Sequence, residues 1–332
     1  MKHITTIMAW GALIVLTACT GSLPDDGGNP SPEERGEPVL LSFDMYGATV
    51  TKASENIAVD LAPETKFTIY AFPKGTTDLS KPLASGVYTI GADYKATGNM
   101  SLYRGEYDMY MVSNNTNIAP VLSEGGSITV NNGTDFMYNT LTGFTVQPQK
   151  TGDNVMNVTL PAPFVRLGSQ VKLSVKAKLG SPVTVTDLKV QSITMYYLSS
   201  PLSYNLGAID WKKEGTTYEK KDSIVVSSFD NKPDYYVAHP ADPVVVLPVS
   251  GNTPIEFKIV LDVTYVEKVD EVTTYPTKTF TYTASSRKTL LKGMVYGFEF
   301  TLTFFGVLSP GDITIGLLDY TGQDLPMDEV GK

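Results

Sequence analysis

Residues 171–178 read VKLSVKAK, and this stretch decides the fold because its apolar and polar side chains alternate without a break. Valine, leucine or alanine occupies each odd position, and lysine or serine occupies each even one. A period of two residues puts the two sets on opposite faces of a β-strand. The stretch therefore predicts a half-buried strand, with one face on a core and the other in water, as is typical of antiparallel sheets.

The same alternation recurs in both directions from this stretch, while no segment of helix length shows a helical period. Many threonine, valine and tyrosine residues accompany it, and these favour β-structure. We therefore predict an all-β fold. The other segments with the alternating pattern are 38–46, 66–72, 257–262, 296–303 and 312–320.

Turn-forming sequences separate the predicted strands. The chain has 332 residues, enough for two domains, and Pro161 and Pro163 interrupt strand pairing just before a fresh alternating pattern begins. We predict two antiparallel β-sandwich domains, at 38–162 and 163–332. The turn sequences are Pro73-Lys74-Gly75, Glu124-Gly125-Gly126, Asn131-Asn132-Gly133, Ser250-Gly251-Asn252 and Ser309-Pro310-Gly311.

The composition fits a folded and acidic protein. Hydrophobic residues make up 42% of the chain and aromatic residues 10%, which is enough for full cores. The formal net charge is −9 and the pI about 4.8. Such a charge argues against a nucleic-acid partner and against electrostatic binding to anionic lipids.

The first residues predict export and lipid attachment. An apolar run at 4–15 is too short to span a bilayer but long enough for a signal peptide, and Leu16-Thr17-Ala18-Cys19 follows it. This sequence resembles the bacterial lipobox, and Cys19 is the only cysteine in the chain. We predict a signal peptide at 1–18, a lipid on Cys19 that holds the protein on the outer membrane, and a flexible tether at 19–37.

Residues that could support catalysis are few. His239 is the one histidine beyond the signal peptide, we place it in a loop, and no Gly-x-Ser-x-Gly motif accompanies it. No cysteine and histidine spacing predicts a zinc site, and no glycine series predicts a phosphate site. We predict no enzymatic activity, no metal and no cofactor. The tyrosine pairs Tyr196-Tyr197 and Tyr235-Tyr236 leave open a surface that stacks on sugars.

The order of short motifs resembles the FimA-like fimbrillins, the type V pilus subunits of Bacteroidota. A lipobox and tether precede a strand at 38–46, a basic-alanine step at Thr51-Lys52-Ala53, and a strand at 66–72. Residues 165–167 resemble the opening of the family's second domain, and residues 292–298 its late basic-to-aromatic strand entry. The likeness extends over nearly the whole chain, although each motif is short.

The resemblance implies transthyretin-like or Greek-key sandwiches and assembly by strand exchange. A protease would cut between Lys52 and Ala53, and residues 38–52 would leave with the lipid. Segment 38–46 could leave in this way because we expect flexible segments on both sides of it. The donor strand of a neighbouring subunit would then fill the groove, and we place this donor strand at 312–320, with Ile313, Ile315 and Leu317 on its apolar face.

Two departures from the family's pattern leave open whether the chain is a stalk, tip or anchor subunit. Lys52 replaces the arginine that is usual in the family, and Asp319-Tyr320 stands where many stalk subunits have tryptophan. A stalk or tip subunit would lose the first strand in the fimbrium, whereas an anchor subunit would keep its strand and its lipid on the outer membrane. The partners expected are other pilus subunits and surface glycans or proteins of a host or of bacteria. A monomeric glycan-binding lipoprotein and a hydrolase are the rival interpretations.

Overall fold

A computed structural model describes residues 36–44, 48–52, 55–59, 61–93, 95–147, 154–177, 184–208, 218–232, 237–240, 244–305 and 309–318. Every regular element in these ranges is a β-strand, which confirms the predicted all-β class. The same ranges contain no helix that could cross a membrane. Cys19, Ala53, Tyr235 and Tyr236 lie outside the described residues.

The strands form one large sheet in the first half of the chain and two facing sheets in the second. Their bounds are β1 Val39–Asp44, β2 Ala48–Lys52, β3 Glu55–Val59, β4 Lys66–Pro73, β5 Ala84–Ile90, β6 Lys95–Gly98, β7 Ser101–Leu102, β8 Gly105–Ser113, β9 Ser127–Val130, β10 Met137–Val146, β11 Val155–Thr159, β12 Phe164–Arg166, β13 Ser169–Ala177, β14 Val185–Tyr196, β15 Leu202–Asn205, β16 Ile224–Val226, β17 Phe229–Lys232, β18 Val237–Pro240, β19 Val244–Val246, β20 Ile255–Tyr265, β21 Glu267–Val269, β22 Val272–Thr274, β23 Thr277–Ser286, β24 Val295–Phe305 and β25 Ser309–Leu318.

The first sheet has 11 strands in the order β11-β1-β6-β5-β4-β8-β10-β12-β2-β3, with β7 beside β1. Side chains from strands along most of this order meet in one apolar cluster, so the sheet encloses its own core. The cluster includes Phe43, Phe67, Tyr88, Met109 and Phe164.

The second half forms a sandwich. A sheet ordered β17-β18-β13-β24-β25, with β19 beside β13, faces a sheet ordered β16-β14-β20-β23. Alternate side chains of β13 and β24 pack against those of β14 and β20, and Phe257 lies 4.9 Å from Phe298 and 5.1 Å from Phe300 between ring centroids. The stretch VKLSVKAK has the buried face that its alternation predicts, because Val171, Leu173 and Val175 are buried in this core.

The sheets are mixed rather than purely antiparallel. Three pairings are parallel: β1 with β11, β2 with β12, and β13 with β24. Each joins strands that are far apart in the sequence, and alternation along a strand is the same for both pairing directions. Strand β12 belongs to the first sheet, and the second half's sheets begin with β13.

Two predictions about a turn and a flexible segment are wrong. The predicted turn Ser309-Pro310-Gly311 is the start of β25, where Pro310 pairs with Phe304 beside a register shift. Proline is tolerated there because β25 is an edge strand among the described residues. The expected flexible segment after β1 is the hairpin β2–β3, whose threonine and valine residues favour strands.

A third apolar cluster joins the two halves of the chain. Strand β9 pairs with β15, and Tyr204 packs 5.0 Å from Phe136 between ring centroids. Asn132 also bridges the halves, since its side-chain amide donates to the Ser199 carbonyl at 2.8 Å and its oxygen accepts the Leu247 N–H at 2.8 Å. The halves therefore share a hydrophobic and hydrogen-bonded junction.

Candidate functional site

Strand β1 lies inside the first sheet with neighbours on both sides. Residues 40–44 pair in parallel with 155–159 of β11. On the other side, Val39 and Leu40 pair with β7, and Phe43 and Asp44 pair with β6. Backbone groups on both edges of β1 are therefore used in the ladder.

The inner face of β1 fills the core of the first half. The exposed fractions of Val39, Leu41 and Phe43 are 0%, 1% and 0%. The Phe43 ring meets the Tyr88 ring edge-on at 5.2 Å, and Tyr88 stacks on Phe67 at 5.4 Å between centroids. The alternation of Val39, Leu41 and Phe43 in the sequence is the local reason for this burial, because it places all three on one face.

Three polar contacts fix β1 in place. The Tyr88 hydroxyl donates to the Leu41 carbonyl at 2.9 Å, and burial raises the pKa of Tyr88 well above its ordinary value of 10.0. The Asn154 side chain donates to the Pro38 carbonyl at 2.7 Å. The Leu41 N–H donates to the Met100 carbonyl at 3.0 Å. Tyr88, Asn154 and Met100 lie outside β1, so removal of residues 38–44 would break all three hydrogen bonds.

Loss of β1 would therefore open a defined slot. Strand β11 on one side and β6 and β7 on the other would expose unpaired backbone groups, and the core would expose the places of three apolar side chains. An extended segment with apolar residues at every second position satisfies both needs at once. A slot left by β1 would therefore fit such a segment.

Lys52, the predicted cleavage residue, ends β2 and pairs with Glu55 of β3. It therefore lies at the closed end of the β2–β3 hairpin, beside Ala53 and residue 54, which are outside the described ranges. Strand β2 also pairs with β12, through Ala48 opposite Phe164. A cut after Lys52 would separate both β1 and β2 from the rest of the chain.

Strand β25 contains the predicted donor residues and occupies an edge of a sheet in the second half. It pairs antiparallel with β24, with Ile313 opposite Leu302, Ile315 opposite Phe300 and Leu317 opposite Phe298. In the described part of the chain β24 is its only strand partner. Positions 313, 315 and 317 share one face of the strand, with the same spacing as Val39, Leu41 and Phe43 in β1.

The residues considered for catalysis, metal binding and sugar stacking are arranged less favourably for those roles. His239 lies in strand β18 opposite Asp230, not in the loop that the sequence predicts. No cluster of three potential metal ligands occurs in the ranges that the structure describes. The Lys220 ammonium lies 5.0 Å from the Tyr196 ring centroid and 2.7 Å from Glu256, so one face of that tyrosine is already occupied.

Sequence reasoning missed Tyr88, whose hydroxyl donates to the backbone of β1, and Asn154, whose side chain donates to the Pro38 carbonyl just before β1. Tyr88 lies in the alternating stretch 84–90, which indicates a strand but not which carbonyl its hydroxyl would meet. Asn154 precedes β11 and carries no local signal. Both contacts depend on long-range pairing.

Comparison with known proteins gives structural matches only. No protein-family model and no curated protein matches the chain. A protein from Bacteroides fragilis that is assigned to cell adhesion matches with a TM-score of 0.52 at 14% identity, over 85% of this chain and 97% of that one. The score shows that the two share a fold.

Fimbrial proteins are also among the structural neighbours. A fimbrilin (FimA) from Porphyromonas gingivalis matches with a TM-score of 0.42 at 12% identity, over 84% of this chain and 96% of that one. The fimbrial anchor protein from the same species matches at 0.38 and 11%, over 85% and 99%. The neighbours thus include the class of protein that the sequence resembles, at low identity.

Proposed function

We propose that the chain is a non-enzymatic structural subunit of a bacterial surface fimbrium that supports adhesion. In this proposal the first half, 38–162, receives a strand and the second half, 163–332, donates one. The observation that carries it is the position of β1, an inner strand whose three inward side chains are buried and whose two edges are paired.

The donor in this proposal is β25 of a neighbouring subunit. It matches β1 in its spacing of apolar residues, with Ile313, Ile315 and Leu317 standing for Val39, Leu41 and Phe43. An edge strand can leave its sheet by breaking one ladder, whereas an inner strand must break two. The fold shared with an adhesion-assigned protein supports the adhesive role in this proposal.

In this proposal, the N-terminal region of the chain is processed during maturation. A lipid on Cys19 brings the protein to the outer membrane, and cleavage between Lys52 and Ala53 releases β1 and β2. A subunit that is not cleaved would keep its lipid and serve as an anchor.

The N-terminal sequence of the protein recovered from surface fibres tests the maturation step. We expect a start at Ala53 in a stalk or tip subunit, and Lys52→Ala should abolish that start while Lys66→Ala, in β4, leaves it unchanged. Recovery from fibres of a protein that still begins at an acylated Cys19 would contradict the proposed cleavage. It would support the role of an anchor subunit instead.

A pair of substitutions in β25 tests the donor role. Ile315→Asp places a charge on the face that would enter the slot, whereas the matched control Thr314→Asp places it on the opposite face. We expect Ile315→Asp to remove detergent-resistant oligomers and Thr314→Asp to retain them, on SDS gels of unboiled fibres. Equal oligomer yields from the two variants would contradict the donor assignment. Binding of the uncleaved monomer to polysaccharide would instead favour the glycan-binding interpretation.

A further inference from the structure

The strands β20 and β23 form a ribbon that continues past the end of their sheet. Strand β14, the other neighbour of β20, begins at Val185 opposite Tyr265. Beyond that point the ribbon continues as the hairpin β21–β22, which pairs only with itself in the described part of the chain. An isolated two-stranded hairpin is marginally stable in water, so contact with a partner would stabilise this one.

The end of this hairpin combines apolar and acidic side chains. The exposed fractions of Val269, Val272 and Tyr275 are 56%, 61% and 63%. Asp270 and Glu271 form the turn between β21 and β22 with positive φ values of 49° and 63°. Positive φ at both central residues is the geometry of a type I′ hairpin turn, which glycine and asparagine adopt more easily than aspartate or glutamate. The sequence thus keeps two carboxylates at the tip at some cost in strain.

We name residues 266–276 the acidic hairpin. It contains three acidic residues, Glu267, Asp270 and Glu271, and one basic residue, Lys268, for a net charge of −2. A partner that matched this patch would have a basic and partly apolar surface.

The opposite end of the same ribbon provides such a surface. Residues 286–292, which we name the basic loop, contain Arg287, Lys288 and Lys292 and no acidic residue. Leu291 within it is 56% exposed. The loop is well fixed, since the Leu290 backbone bridges to Val249 and the Leu291 N–H donates to the Tyr296 hydroxyl at 2.9 Å.

The two surfaces lie at opposite ends of the ribbon. Ile255 pairs with Ser286 at the basic loop, and Thr264 pairs with Thr277 at the acidic hairpin. At ~3.3 Å per residue, the length of β20 separates them by about 35 Å. They cannot meet within one molecule, but they can meet between two molecules in a head-to-tail arrangement.

We propose that the acidic hairpin of one copy docks on the basic loop of the next copy. The charges are complementary in sign, and both surfaces expose apolar side chains that such a contact would cover. A contact between two different surfaces of the same chain forms a ring if its rotation closes and an open filament if it does not. The proposal rests on the proposed function for its setting, because a fimbrium aligns copies and makes a weak contact effective.

Charge reversal tests this contact in the full chain carrying Cys19→Ser, which removes the lipid and leaves β1 in place. The first variant is Asp270→Lys with Glu271→Lys, and the second is Arg287→Glu with Lys288→Glu. We expect each variant alone to associate at least ~10-fold more weakly than the parent chain in sedimentation experiments at low salt. In each variant the hairpin and the loop then carry charge of the same sign, so two copies of that variant repel each other at this contact.

An equimolar mixture of the two variants provides the decisive measurement. The reversed hairpin of the first variant matches the reversed loop of the second, so association should return to the parent level. Lys81→Glu and Glu124→Lys, exposed charge changes in the first half of the chain, serve as controls and should leave association unchanged. Failure of the mixture to associate, or a parent chain that stays monomeric at high concentration and low salt, would overturn the proposal.

These outcomes are separate from those of the donor-strand test. The chain used here keeps β1, so strand exchange cannot contribute to its association. Loss of the charge-dependent contact with strand exchange intact overturns only the head-to-tail contact. Retention of the contact with no effect of Ile315→Asp on fibres overturns only the donor role.

Discussion

Strands β1 and β25 have the same apolar spacing but different places in the fold. Strand β1 lies inside its sheet with partners on both sides, whereas β25 lies at an edge with β24 as its one described partner. Loss of β1 would open a slot within a core, whereas loss of β25 would free one edge of β24 and remove the contact between β25 and β23. The comparison shows that two strands of the same sequence pattern differ in their place in the sheet, and in the proposed strand exchange this difference would make β1 the strand that is replaced and β25 the strand that is donated.

Removal of each strand in turn should give the largest difference in thermal stability between a chain without β1 and a chain without β25. A chain that begins at Ala53 lacks β1 and β2, and a chain that ends at Phe305 lacks β25. Burying each of Val39, Leu41 and Phe43 is worth about 1.5–3 kcal/mol, and a domain's whole stability is about 5–15 kcal/mol. We therefore expect the first truncation to lose most of its cooperative thermal transition and the second to keep it.

Addition of a synthetic peptide with the sequence of 309–320 sharpens the same test. It should restore a transition to the chain that begins at Ala53, because it supplies both a strand edge and three apolar side chains. A peptide with Ile315→Asp is the matched control and should not restore it. Equal melting behaviour of the two truncated chains would show that β1 and β25 do not differ as the structure indicates.

A single substitution makes a smaller break in β1. Phe43→Ala removes a fully buried ring that contacts Tyr88, and such a change costs about 3–5 kcal/mol of unfolding free energy. Ser42→Ala, on the opposite face of the same strand, should cost less than about 0.5 kcal/mol. Urea unfolding of both variants measures the difference, and similar losses would mean that β1 is not oriented by its alternating pattern.

Much of the fold could be predicted from alternation alone. The strands that contain Phe67, Val171, Phe257 and Phe298 all lie where the two-residue period places them, and their apolar faces are buried. A strand's inward face follows from its own sequence, since neighbouring side chains point to opposite sides. This local rule also gives the buried face of β1.

The partners of each strand could not be predicted in this way. The parallel pairing of Leu40 with Val155 joins residues that are far apart in the chain, and no local pattern specifies it. The same holds for the Tyr88 hydroxyl on the Leu41 carbonyl and for Asn132 across the junction. The difference between an inner and an edge strand is therefore a property of the assembled sheet.

The smallest test concerns the hydrogen bond that Tyr88 donates to β1. Tyr88→Phe keeps the stacked ring but removes the bond to the Leu41 carbonyl, and it should cost about 1–2 kcal/mol of unfolding free energy near neutral pH. Tyr103→Phe, at a partly exposed tyrosine, is the control and should have almost no effect. Denaturant unfolding of the two variants measures both values.

The pH dependence of the unfolding free energy lost in Tyr88→Phe tests whether the Tyr88 hydroxyl is the group responsible for that loss. Burial raises the pKa of Tyr88 in the folded chain above the value of 10.0 at which the unfolded chain ionises. Its contribution to stability is therefore complete below pH 10 and declines as the pH rises toward the folded value. Other buried tyrosines, such as Tyr282 with a pKa raised to about 12, will weaken both chains in alkali. The stability gap between the parent chain and Tyr88→Phe should therefore narrow above pH 10, because only the parent can ionise at this position. A gap that stays constant up to the alkaline transition would show that the Tyr88 hydroxyl does not hold β1.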